Sequence, residues 1–148
     1  MTAGRLPREL AGPAGARPVL VEASVTDALG LWLVFRSDDP GGGDLELVSG
    51  PSPWLVCQPA GLMCSWADHL DDPLPHSEPP ELAALTGGRL GRVTHRAGRL
   101  VLEIGEATVE VLARPGGDRP SWEWLIDDDM WSWTVGRYRH RRYAPSAG

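Results

Sequence analysis

Leu100-Val101-Leu102-Glu103-Ile104-Gly105-Glu106-Ala107-Thr108-Val109-Glu110-Val111-Leu112 is the stretch whose pattern decides the fold. Two apolar-rich segments, 100–104 and 107–112, are separated only by Gly105-Glu106. Two residues, one of them glycine, is the length of the tight turns that join antiparallel strands. In the second segment Thr108, Glu110 and Leu112 alternate with Val109 and Val111, the period of a strand with one face in the core and one in water. The stretch therefore predicts a β-hairpin.

The same pattern occurs upstream. Val25-Thr26-Asp27-Ala28-Leu29-Gly30-Leu31-Trp32-Leu33-Val34 aligns without gaps on Val93-Thr94-His95-Arg96-Ala97-Gly98-Arg99-Leu100-Val101-Leu102, 68 residues further on. Trp54 falls on Trp122 at the same offset. Leu45-Glu46-Leu47 resembles Val109-Glu110-Val111 once four residues of length move from one loop, Gly41-Gly42-Gly43, to the other, Arg114-Pro115-Gly116-Gly117-Asp118. Two unrelated meanders could look alike, but three anchors in one order favour a duplication. Strands are expected at 31–35, 45–48 and 54–57 in the first copy, and at 100–104, 107–112, 122–126 and 131–138 in the second. Between the copies the chain is Pro-rich and acidic, and its one expected helix is 80–85. The predicted architecture is all-β: two related antiparallel β-meanders forming one small barrel or sandwich, with at most one or two short helices. A single β domain spans 19–143, with a first meander at 19–57, a connector at 58–88 and a second meander at 89–143. Residues 1–18, rich in Gly, Pro and Ala, are expected to be a mobile tail, and 144–148 a second tail.

Composition narrows the function classes. The chain has 148 residues, 42% apolar and 23% charged, a globular balance that fits one core. It has no apolar run near the ~20 residues of a membrane helix. Arg5 and Arg8 are not followed by the apolar stretch of a secretion signal, so a cytoplasmic location with reduced cysteines is the expectation. Lys and Asn are absent while Arg, Gly and Pro abound, the imprint of a high-GC genome. Arginine clusters carry less meaning in such a chain. Net charge is −6, unevenly spread: residues 19–88 hold eleven acids and one base, Arg36, for a net of −10. Such a half argues against binding nucleic acid or anionic membrane and suits solubility or a basic partner surface.

Leu85-Thr86-Gly87-Gly88, Val93, residues 98–104, Val109-Glu110-Val111 and Ser121-Trp122-Glu123 carry a likeness of another kind. This repeated meander with its Ser-Trp-Glu strand resembles a bacterial family of small domains of unknown function found near polymorphic-toxin genes. The resemblance covers mainly 82–135 and implies an immunity-type role, with no catalytic residues to carry over.

Several groups could hold chemistry. Trp122 and Trp124 are spaced by two, as are Trp131 and Trp133, so each pair lies on one side of its strand. A four-residue turn, Asp127-Asp128-Asp129-Met130, would set Ile126 opposite Trp131, Trp124 opposite Trp133 and Trp122 opposite Val135, all on one face. These indoles are either the core of a protein with a single Phe or an aromatic face for a flat ligand or partner side chain. Cys57, Cys64, His69 and His76 form a C-x6-C-x4-H-x6-H array, wider than common zinc spacings. A Cys64, His69 and Asp68 or Asp71 arrangement lacks any frame resembling a nucleophile elbow. Asp127-Asp128-Asp129 lacks the interleaving of a calcium loop. Arg137-Tyr138-Arg139-His140-Arg141-Arg142-Tyr143 places three arginines on one side of a strand, a pattern shared by nucleic-acid strands and charge-guarded sheet edges.

No catalytic residue, metal or cofactor is assigned from this pattern, and an enzyme is the less favoured class. The expected function is a non-catalytic interaction module, possessing an acidic partner face of Asp38, Asp39, Asp44, Glu46, Asp68, Asp71 and Asp72. Its expected partner is a protein, with neither nucleic acid nor membrane. The rival is a small-molecule-binding protein or unusual small enzyme using the Trp-lined face.

Overall fold

The computed structural model describes residues 18–26, 30–37, 45–50, 53–59, 61–65, 80–96, 98–113, 121–126, 129–134 and 137–142. In chain order they form β1 (Val19–Val25), β2 (Leu31–Arg36), β3 (Leu45–Ser49), β4 (Trp54–Gln58), β5 (Gly61–Ser65), α1 (Pro80–Ala83), β6 (Leu90–Arg96), β7 (Arg99–Ile104), β8 (Ala107–Leu112), β9 (Trp122–Ile126), β10 (Asp129–Thr134) and β11 (Arg137–Arg142). Sheet A has the order β1-β2-β3-β9-β10-β11 and sheet B the order β5-β4-β8-β7-β6, every pair antiparallel. One hydrophobic cluster takes side chains from both sheets, so the molecule is a β-sandwich and not a closed barrel.

Alternation explains the layers. In β2, Leu31, Leu33 and Phe35 are buried while Trp32 and Val34 are half-buried; in β8, Ala107, Val109 and Val111 are buried while Thr108, Glu110 and Leu112 are half-buried. Each of these two strands thus donates every second residue to one shared interior. Gly105, at φ 59, makes the β7–β8 turn, as the short Gly-Glu connection predicts. No helix among the described residues is long and apolar enough to cross a membrane. Leu82 and Leu85, in and just after α1, are buried in the core.

The duplication is visible in the pairing. The first copy places β1-β2-β3 in sheet A and the β4–β5 hairpin in sheet B; the second places β6-β7-β8 in sheet B and β9–β10 in sheet A. The registers correspond in detail. Leu20 opposes Phe35, Ala23 opposes Leu33 and Val25 opposes Leu31; in the second copy Leu90 opposes Ile104, Val93 opposes Leu102 and His95 opposes Leu100. Both pairs carry a one-residue irregularity at the same place, after Leu20 and after Leu90. Trp54 opposes Val111 as Trp122 opposes Ser49, and Val56 opposes Val109 as Trp124 opposes Leu47. The two copies meet at an isolated bridge between Val19 and Arg89, positions that this correspondence makes equivalent. A pseudo-two-fold axis therefore runs through that bridge, since only there can a residue pair with its own counterpart.

Several expectations are corrected. The gapless alignment of 25–34 on 93–102 does not hold. It would match inward Leu31 and Leu33 with Arg99 and Val101, which are exposed and half-buried. The true correspondence shifts by one further residue in β2 and β7, because the β6–β7 turn is shorter. A one-residue slip reverses every side chain, so an alignment blind to loop length fails here. Likewise Leu45 and Leu47 match Ala107 and Val109, two positions earlier than the alignment had them. The connector 58–88 contains β5, which hydrogen-bonds β4 and completes the first copy. The expected single strand 131–138 is a hairpin, with Thr134 opposite Arg137. Residues 1–17 and 143–148 lie outside the described residues.

Candidate interaction surfaces

The indoles point inward. Trp122 and Trp124 are 0% exposed and Trp133 3%, while Trp131 packs partly buried against the core. The register differs from the expected one: Trp124 opposes Trp131, Trp122 opposes Trp133 and Ile126 opposes Asp129. The pairing is thus shifted by two residues from the expected one, and an even shift leaves the indoles on one face. Trp122 and Trp133 stack with centroids 5.5 Å apart and planes 3° from parallel. His95 of sheet B meets both edge-on, at 3.9 Å from Trp133 and 5.5 Å from Trp122. Of the two readings of these indoles, core or aromatic face, Trp122, Trp124 and Trp133 take the first. These rings dominate the packed volume because the chain has only one Phe to share that task. Sequence reasoning missed His95. Its signal was its parity with Val93, since positions two apart on a strand share a face.

The outward side of sheet A has a different character. Cross-strand register places Trp32, Val48, Glu123, Ser132 and Arg139 in one row, and Val34, Glu46, Leu125, Met130 and Arg141 in the next. Val48 is 37% exposed, and Trp32, Val34, Leu125 and Met130 are half-buried. The Trp32 indole N–H donates to Glu46 Oε1 at 2.8 Å, and Ser132 Oγ shares a hydrogen bond with Glu123 Oε2 at 2.9 Å. The two carboxylates thus hold polar neighbours in place among the half-buried apolar side chains. Val21, at the irregularity of β1, adds a further apolar side chain at 47% exposure.

Of the expected acidic partner face, Glu46 lies on this surface; Asp38, Asp39, Asp44, Asp68, Asp71 and Asp72 lie outside the described residues. The outward side of sheet B carries an Arg99–Glu110 ion pair at 3.2 Å. Cys57 stands on that outward side, half-buried, whereas Cys64 takes the register position opposite inward Val56. His69 and His76 lie outside the described residues.

Comparison with protein-family models, with curated proteins and with solved structures finds no match to this chain.

Proposed function

We propose that the protein is a non-catalytic interaction module that binds a protein partner on the outward side of sheet A. The observation that carries this is the Trp32–Glu46 pair beside exposed Val48. An indole already held by a carboxylate loses little rotamer freedom on binding, and such pre-ordered aromatics tend to anchor interfaces. The partner is a surface with apolar side chains and basic groups, which suits Glu46, Glu123 and the net charge of −10 over residues 19–88. An immunity-type role, in which that partner is a toxin, is the narrower form that the family resemblance supports.

Val48→Arg tests the proposal, because residue 48 is outward and its replacement leaves the core intact. Wild-type protein immobilised in extract of its native host is expected to retain a partner that Val48→Arg loses, with the melting temperature of the variant unchanged. The same proteins retained by both would sink it. For the toxin form, the retained protein should be encoded beside this chain's own gene and should inhibit growth when expressed alone.

A further inference from the structure

The two sheets correspond through the pseudo-two-fold axis, yet their outward sides treat charge differently. In sheet B, Arg99 of β7 pairs with Glu110 of β8 at 3.2 Å, so a carboxylate there is neutralised from within the chain. The correspondence of Leu31 with Leu100 puts Gly30 in the place of Arg99 in sheet A. Outward positions of β1, β2, β3, β9 and β10 hold three acids, Glu22, Glu46 and Glu123, against one base, Arg36, at the end of β2. Among the described residues neither Glu46 nor Glu123 is paired with a base. Arg139 and Arg141 hold positions in the same rows on β11, but β10 lies between, which sets their backbone about 10 Å from that of β9.

Register sets the geometry. Glu46 opposes Leu125 and Val48 opposes Glu123, so these residues form a square with carboxylates on one diagonal and aliphatic groups on the other. Diagonal neighbours on one face lie about 7–8 Å apart, a gap that one flat cation can bridge. Each carboxylate is already held by a neutral donor, the Trp32 N–H on Glu46 Oε1 and the Ser132 hydroxyl on Glu123 Oε2. Among the described residues Glu46 Oε2 and Glu123 Oε1 accept no further hydrogen bond. We propose that the two carboxylates together accept one arginine side chain of the protein partner, its guanidinium lying over Val48 and Leu125 between them. This inference rests on the reading of the outward side of sheet A as the partner's surface, and it names what that surface receives.

The arrangement selects arginine over lysine. A guanidinium is planar, carries five donors in a rigid fork and is more weakly hydrated than an ammonium. It can donate to carboxylates on two sides while its face rests on Val48, which is 37% exposed. An ammonium is compact and strongly hydrated, so spanning both acceptors above an aliphatic pair would strip it of water for poorer contacts. Hydrogen bonds between a charged donor and a charged acceptor are about twice as strong as neutral ones. Because Trp32 and Ser132 already orient the acceptors, little side-chain freedom is lost when the arginine arrives.

Acetyl-Leu-Arg-Leu-amide, titrated into the full chain to about 10 mM and followed by heteronuclear NMR, tests the inference. The Trp32 indole N–H and the Val48 methyls are expected to shift together and to saturate. The same peptide with citrulline, a neutral near-isostere of arginine, should give no saturating shift, and the one with lysine should bind at least ~3-fold more weakly. Glu46→Gln and Glu123→Gln keep the acceptors for Trp32 and Ser132. Each should weaken the arginine peptide about 10-fold, with melting temperatures near wild type. Val48→Arg should block the peptide, since its own guanidinium lies beside both carboxylates. No saturating shift with the arginine peptide, equal binding of the citrulline peptide, or undiminished binding by both Gln variants would overturn the inference. So would a partner from native extract that Val48→Arg loses but the double variant Glu46→Gln, Glu123→Gln retains in full, a result that leaves the interface standing and removes only the arginine. A partner retained alike by wild type and Val48→Arg would overturn both readings.

Discussion

Gly30 and Gly98 aligned as one repeated glycine in the sequence, yet they are required for different physical reasons. Gly98 has φ +72 in the β6–β7 turn, a backbone conformation that side-chain-bearing residues rarely adopt. A Cβ on Gly30 would instead collide with the Ser49 and Gly50 carbonyl oxygens, where the β2 entry crosses the end of β3. That approach is tied down by the Leu31 N–H donating to Ser49 Oγ at 2.6 Å. Because the colliding atoms are backbone, Gly30→Ala should cost at least ~2–3 kcal/mol, read as a lowered urea midpoint with the slope unchanged. Trp124 supplies the complementary case. It is fully buried, its indole N–H has no hydrogen-bond partner among the described residues, and what it contributes is packing. Trp124→Ala should lose about 3–5 kcal/mol of stability, measured by the same denaturation, and a loss below ~1 kcal/mol would contradict its place in the core.

Strand identity was legible in the sequence where alternation was clean. The 100–112 hairpin appears with its turn at Gly105, and 45–48, 54–57 and 122–126 fall within a residue of β3, β4 and β9. Four strands were not expected as such, and each for a physical cause. The runs of β1 and β6 are broken by their bulges, which put two successive residues out of phase. β5 lies in a Pro-rich, acidic surrounding whose composition masks its five neutral residues. β11 was merged with β10 because Val135-Gly136 is a short, weak turn signal. Cross-strand contacts between outward side chains matter little at this scale. Arg99 is 55% exposed and Glu110 20%, so solvent screens their attraction. A double-mutant cycle on Arg99→Ala and Glu110→Ala should yield a coupling below ~1 kcal/mol. The Trp122–Trp133 stack, being buried, should couple by about 0.5–1.5 kcal/mol when each is changed to Leu.

At the scale of the molecule, neither copy owns a sheet. Three strands of each copy sit in one sheet beside a hairpin lent by the other, and the seams are β3–β9 and β8–β4. Fragments 1–65 and 66–148, produced separately, should therefore each lack cooperative unfolding, because each would expose the edge and the apolar face that the other covers. Mixed, they should regain a single cooperative transition with buried-indole fluorescence. Independent folding of either fragment would show that the exchange of hairpins is dispensable. The same arrangement explains why the indoles became core: β9 and β10 face the β6–β8 meander across the sandwich, and His95 touches Trp122 and Trp133 across that gap.

Local pattern alone determined that this chain is built of short antiparallel strands, that they come in two related sets, and that Trp122, Trp124, Trp131 and Trp133 share one face. Each of those properties depends on a residue and its near neighbours, through turn chemistry and a period of two. Tertiary structure alone decided which face of each strand is inward relative to its counterpart, how the two sets exchange hairpins, and which side chains are left to meet other molecules. Those depend on loop length and on pairing between residues as far apart as Val19 and Arg89, where one residue of slippage inverts the outcome while leaving the alternation itself unchanged.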